Sequence, residues 1–87
     1  MTEGGGTEAP GVITVRYWAG ARRAAGRAEE TFTVGTVGEL RAELLARDGL
    51  AKVAEVASFL VDGTQASDAT VLHAGAVVDL LPPFAGG

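Results

Sequence analysis

The 87-residue chain contains no cysteine. That excludes disulfide staples, thiolate metal sites and a cysteine nucleophile. Histidine occurs once, as His73, with no His, Asp or Glu at the spacing of a metal site, so no metal is expected. A lone histidine beside Gly75 reads as an exposed turn residue rather than a catalytic base. No apolar run reaches the ~20 residues needed to cross a bilayer, so no membrane partner is expected. The N-terminal "MTEGGGTEAP" lacks both the basic start and the apolar core of a secretory signal, and the expected location is cytoplasmic. The three glycines at 4–6 follow no strand and precede no lysine, so they are not a phosphate loop.

Positive charge is also missing from one part of the chain. All seven basic residues lie at or before Lys52; beyond it the formal charges are Glu55, Asp62, Asp68 and Asp79. An acidic C-terminal third argues against nucleic acid and favours a partner with a basic surface. Ordinary solubilising charge would give the same pattern.

What is present suffices for one folded domain: 47% of the residues are hydrophobic. Residues 1–11 show no periodicity and read as a loose leader, 12–81 as the domain, and 82–87 as a tail. In "VITVRYW", Ile13, Val15 and Tyr17 alternate with polar neighbours, the mark of a strand; "TFTV" repeats it with Phe32 and Val34. The stretch between them, with glycines at 20 and 26, reads as a long hairpin loop carrying Arg22 and Arg23 at a solvated tip. Trp18 covers either the edge of the core or a partner.

Thr36 stands three residues before Glu39, the spacing of a capping box, and Val37, Leu40 and Leu44 then recur at helical intervals. A helix over 36–48 follows, with Gly49 as its left-handed terminator. "LAKVAEVA" offers a further turn or two, burying Leu50, Val53 and Val56. "SFLVDG" is a strand closing on an Asp62-Gly63 turn. The last strand, 76–81, points Val78 and Leu80 one way and Val77, Asp79 and Leu81 the other. The order β-β-α-(α)-β-β suits an α+β roll of the ubiquitin-like β-grasp kind, a mixed sheet with one main helix on one face.

No acid, base and nucleophile come together in this pattern. The unusual segment is the last one, "LPPFAGG". Pro82 and Pro83 stiffen its root, because proline fixes φ and biases its neighbour to extended backbone. Phe84 is apolar where solvent should be, and Ala85, Gly86 and Gly87 taper to a chain without side chains that can thread a narrow channel. From Pro82 the extended reach is about 20 Å.

The stretches "VVDLLPPFAGG" and "VRYWAGARRAAG" resemble the MoaD/ThiS sulfur-carrier family across residues 12–87. The Pro-Pro before the tail is similar to the branch that forms the small subunit of molybdopterin synthase. The resemblance implies a non-enzymatic carrier. A ubiquitin-activating-enzyme-like adenylyltransferase would use ATP to adenylate the Gly87 carboxylate, and sulfur would convert it to a thiocarboxylate, the active form. No cofactor would be bound permanently. A large subunit, in a heterotetramer, would supply the catalytic groups, while Val77, Leu81, Pro82, Pro83, Phe84, Ala85 and Gly86 would bind the partner. Carriers for thiamin thiazole or cysteine-type pathways, and a ubiquitin-like protein modifier, are the alternatives. Two departures stand out. Ala74-Gly75-Ala76 replaces the family's frequent Asp-Gly-Asp turn, and Asp79 stands where an apolar or neutral residue is common.

Overall fold

The structure is a computed structural model in which residues 10–83 are described. The leader through residue 9 and Phe84, Ala85, Gly86 and Gly87 of the tail lie outside the described residues. Five strands, β1 (Val12–Tyr17), β2 (Glu29–Thr33), β3 (Ser58–Val61), β4 (Thr64–Gln65) and β5 (Val77–Leu81), form one mixed sheet in the order β2-β1-β5-β3-β4. β1 and β5 pair in parallel at its centre; the other pairings are antiparallel. This is the α+β β-grasp arrangement, with the described helices on one face.

The alternation in β1 sets that face. Ile13, Val15 and Tyr17 are fully buried, while Thr14 and Arg16 point to the opposite side. Phe32, Phe59, Val78 and Leu80 extend the same apolar layer across the neighbouring strands. Helix α2 (Val37–Leu45) crosses it and buries Val37, Leu40 and Leu44 completely. Each such side chain contributes about 1.5–3 kcal/mol on leaving water. At the start of α2, Thr36 Oγ1 accepts from the Glu39 N–H at 3.1 Å, and Glu39 Oε1 accepts from the Gly35 N–H at 2.7 Å. Glu39 thus reaches one residue further back than the capping spacing implied. The Asp62-Gly63 turn is as expected: φ is 50° and 87°, the doubly left-handed geometry that closes a two-residue hairpin.

The segment after β1 differs from the expected loop. Residues Gly20–Ala25 form a short helix, α1, ending in a left-handed Gly26, and Arg22 and Arg23 lie in its last turn. Six residues are too few to show an apolar stripe; one fully buried alanine, Ala21, fixes the helix to the core. Gly49 does not take the left-handed conformation: α2 stops at Leu45 with Ala46 still right-handed. Gly49 instead lies against α1, where a Cβ would come within 2.9 Å of the Ala24 carbonyl oxygen. In α3 (Ala51–Val56) the buried side is Ala54, beside Leu50, while Val56 is 55% exposed. The helix packs so closely that its small residue faces inward.

Arg47 bridges the loop after α2 to β2. It pairs with both carboxylate oxygens of Glu30, and Glu30 accepts a 2.8 Å hydrogen bond from the Tyr17 hydroxyl. Arg47 holds the Glu30 carboxyl below the usual carboxylate range, and burial is the first cause raising the Tyr17 phenol. This network closes the covered side of the sheet at the β2 edge.

Candidate docking face and tail exit

Among the described residues nothing covers the other side of the sheet, the bare face. The strand register places a row straight across it: Glu29 in β2, Arg16 in β1, Asp79 in β5, Leu60 in β3 and Gln65 in β4. Val77 and Leu81, two residues either side of Asp79, are partly buried and share this face. Pro82 and Pro83 follow directly, so the tail leaves from the central strand, beside the β1 end that carries Trp18. The roles foreseen for Phe84, Ala85, Gly86 and Gly87 lie outside the described residues.

Asp79 gives this face its chemistry. Its Oδ1 accepts from Arg16 Nε at 2.7 Å and from the Trp18 indole N–H at 2.9 Å; its Oδ2 accepts from Arg16 Nη2 at 3.0 Å. The Arg16 guanidinium also lies 5.7 Å from the centre of the Trp18 ring. Hydrogen bonding to Arg16, helped by Trp18, holds the Asp79 carboxyl below its ordinary range against the opposing effect of burial. Ala19, next along the chain, holds φ at 50° although it is not glycine. This sparsely populated conformation turns the backbone just after Trp18.

Trp18 therefore lies on the bare face, and Asp79 is a partnered charge rather than a stray one. Sequence reading marked Asp79 as unusual but found neither partner, since they lie 63 and 61 residues away along the chain. The available signal was a pair of charges, Arg16 and Asp79, on the same parity of two otherwise apolar strands.

At the far end of β5, His73 is exposed, as expected of a turn residue. Its Nε2 lies 2.7 Å from Asp62 Oδ2 and its Nδ1 2.9 Å from the Ala74 carbonyl oxygen. Both nitrogens face acceptors, and the ring donates to both at once only when it is doubly protonated. Asp62 also accepts from the Val77 N–H at 3.0 Å, tying the β3–β4 turn to β5. Among the described residues no three His, Asp or Glu side chains gather as a metal site. No described helix is long and apolar enough to cross a membrane. A surface hollow of about 510 Å³ between β2 and α2 is lined by Thr33, Glu39 and Glu43, with no histidine or lysine beside them. The described residues offer a binding surface and the start of the tail.

The sequence model of the ThiS family matches residues 15–87. A search of curated proteins gave no match. Among solved structures, the chain is similar to one in the complex of subunits 1 and 2 of the molybdopterin-converting factor from Helicobacter pylori. The two are 26% identical with a TM-score of 0.71, covering 87% of this chain and 99% of that one. It is equally similar to SAMP1, a small archaeal modifier protein of Haloferax volcanii, at 26% identity and a TM-score of 0.74, covering 88% of this chain and all of that one (100%).

Proposed function

The chain belongs to the ThiS family of small ubiquitin-like sulfur carriers, and on that premise we propose that the Gly87 carboxylate carries sulfur for molybdopterin synthesis. A ubiquitin-activating-enzyme-like adenylyltransferase joins the carboxylate to the α-phosphate of ATP, and pyrophosphate leaves. A persulfide sulfur attacks the acyl carbon, AMP departs with the C–O electron pair, and a thiol reduces the acyl disulfide to a thiocarboxylate. The tail then enters the pocket of a large subunit, which supplies the catalytic groups for transfer to a pterin precursor. Pro82, Pro83, Phe84, Ala85 and Gly86 set the reach; Val77 and Leu81 belong to the docking face.

The observation that carries this reading is the position of the tail exit. Pro82 and Pro83 continue the central strand, next to a bare face on a domain whose described residues assemble no catalytic set. The likeness to a chain in a complex of subunits 1 and 2 supports a large-subunit partner. The terminus tests it. Deleting Gly87 shortens the tail by about 3.5 Å, and a misplacement of about 1 Å can cost on the order of a hundredfold in rate. Appending alanine lengthens the tail by about the same amount and puts a methyl group beside the reacting carbon. Both variants should fold, yet neither should support ATP–pyrophosphate exchange or gain the roughly 16 Da of an oxygen-to-sulfur exchange in intact mass. Thiocarboxylation of either at the native rate ends the carrier reading.

The similarity to SAMP1 favours a second reading, in which the activated Gly87 acylates a lysine amine of another protein. An isopeptide remnant on lysine in place of the mass shift would select it.

A further inference from the structure

Among the described residues Asp79 is the buried charged residue, 8% exposed, and it lies at the middle of the face that no helix covers. Stability does not explain it. A desolvated ion pair gains little over well-packed apolar side chains, and Leu60, Val77 and Leu81 around it show that this surface accepts them. What the pair supplies is a fixed orientation. Asp79 grips the Nε and Nη2 edge of Arg16, and no hydrogen bond from Nη1 is found among the described residues. The Arg16 side chain remains 47% exposed. A partner that covers this face would bury the Nη1 donors, and an unpaired buried donor is costly, so the partner must offer an acceptor there. Glu29 stands beside Arg16 in the register, so Glu29, Arg16 and Asp79 together sum to one negative charge. An incoming carboxylate would meet that excess; an uncharged oxygen would not.

We propose that Arg16, Asp79 and Trp18 form the specificity centre of the docking face. It takes a partner surface that places an uncharged acceptor, a backbone carbonyl or a side-chain amide oxygen, on Nη1 of Arg16. Aliphatic side chains of that partner sit around it on Trp18, Leu60 and Leu81. The occupant is the large subunit that receives the tail, and in this respect the proposal rests on the carrier reading. The tail leaves from the same strand that carries Asp79, so one partner engages both.

The test is calorimetric titration of the full chain with the molybdopterin synthase large subunit of the same host. Arg16→Leu/Asp79→Ala replaces the pair by apolar groups and should keep the native amide spectrum while binding at least about tenfold more weakly, a change of about 1.4 kcal/mol. Arg16→Lys keeps the charge but lacks the guanidinium fork, and should weaken binding similarly even if the double variant folds poorly. Glu29→Gln should bind no worse than the native chain, and the native affinity should change little with added salt, as expected for an uncharged acceptor. Native affinity in both Arg16 variants would reduce the cluster to local packing and overturn the proposal while leaving the carrier reading intact. Weaker binding by Glu29→Gln, or a steep loss with salt, would mean a cationic partner surface and overturn it equally. A native chain that does not bind the large subunit at all would remove the partner, and with it both readings.

Discussion

On the covered side of the sheet the central positions are apolar throughout: Ile13 and Val15 in β1, Val78 and Leu80 in β5, Phe59 in β3. On the bare side the same three strands present Arg16, Asp79 and Leu60 in one row, with Val77 and Leu81 flanking. The covered face is completed by this chain's own helix, so its residues need only shape and apolarity. The bare face is not completed by any described element, and it keeps a salt-bridged charge held by three hydrogen bonds. A surface meant only for water would gain nothing from locking an arginine in one orientation. A surface meant for one partner among several related ones gains discrimination, because a mismatched partner leaves polar groups buried and unpaired.

The two faces should respond differently to truncation, and the covered one should respond most. Leu44 is fully buried against the sheet. Leu44→Ala should cost about 2–5 kcal/mol in denaturant unfolding, through lost transfer energy and the cavity left behind. Binding of the large subunit by the fraction that remains folded should be unchanged. A loss below about 0.5 kcal/mol, typical of surface sites, would mean that α2 does not hold the core.

On the bare face the balance should reverse. Leu81 is partly buried, two residues from Asp79 and immediately before the prolines. Leu81→Ala should lower affinity for the large subunit by about 1–3 kcal/mol, the range of an interface anchor, with a smaller loss of stability. Equal losses in both measurements would erase the distinction between the faces.

The covered face was largely legible in the sequence, because its signals are local. The alternation of Ile13, Val15 and Tyr17, the Thr36–Glu39 cap and the Val37, Leu40, Leu44 stripe each lie within one element. What escaped was set by contact between distant segments. Helix α1 depends on Ala21 meeting the core, the Gly49 position on the approach of Ala24, and the inward turn of Ala54 on close packing that sends Val56 outward. The bare face was half legible. Val77, Asp79 and Leu81 could be assigned to it by parity, but Asp79 acquires meaning only once the parallel pairing of β1 and β5 brings Arg16 alongside.

The smallest expected effect lies at the end of the bare face away from the tail, where the register carries Val77 into the turn held by Asp62 and His73. The hydrogen bond to Asp62, then that to the Ala74 carbonyl, raises the His73 pKa above its ordinary 6.5. The Val77 N–H, then His73, lowers that of Asp62 below 3.8. The signs define a window. The histidine contribution is fully present below the unfolded histidine pKa and is lost as pH rises through the folded one. The aspartate contribution is present above the unfolded aspartate pKa and is lost as pH falls through the folded one. The turn is therefore held best in mildly acidic solution, and both groups are exposed, so global stability should barely register it. NMR titration should find the His73 ring titrating above a free histidine, with Val77 amide exchange slowest inside the window. In Asp62→Asn the upward shift should shrink, while the Arg16–Asp79 centre should be unmoved. A His73 that titrates at or below the free value would break the His73–Asp62 contact and leave the Val77 N–H as what ties Asp62 to β5.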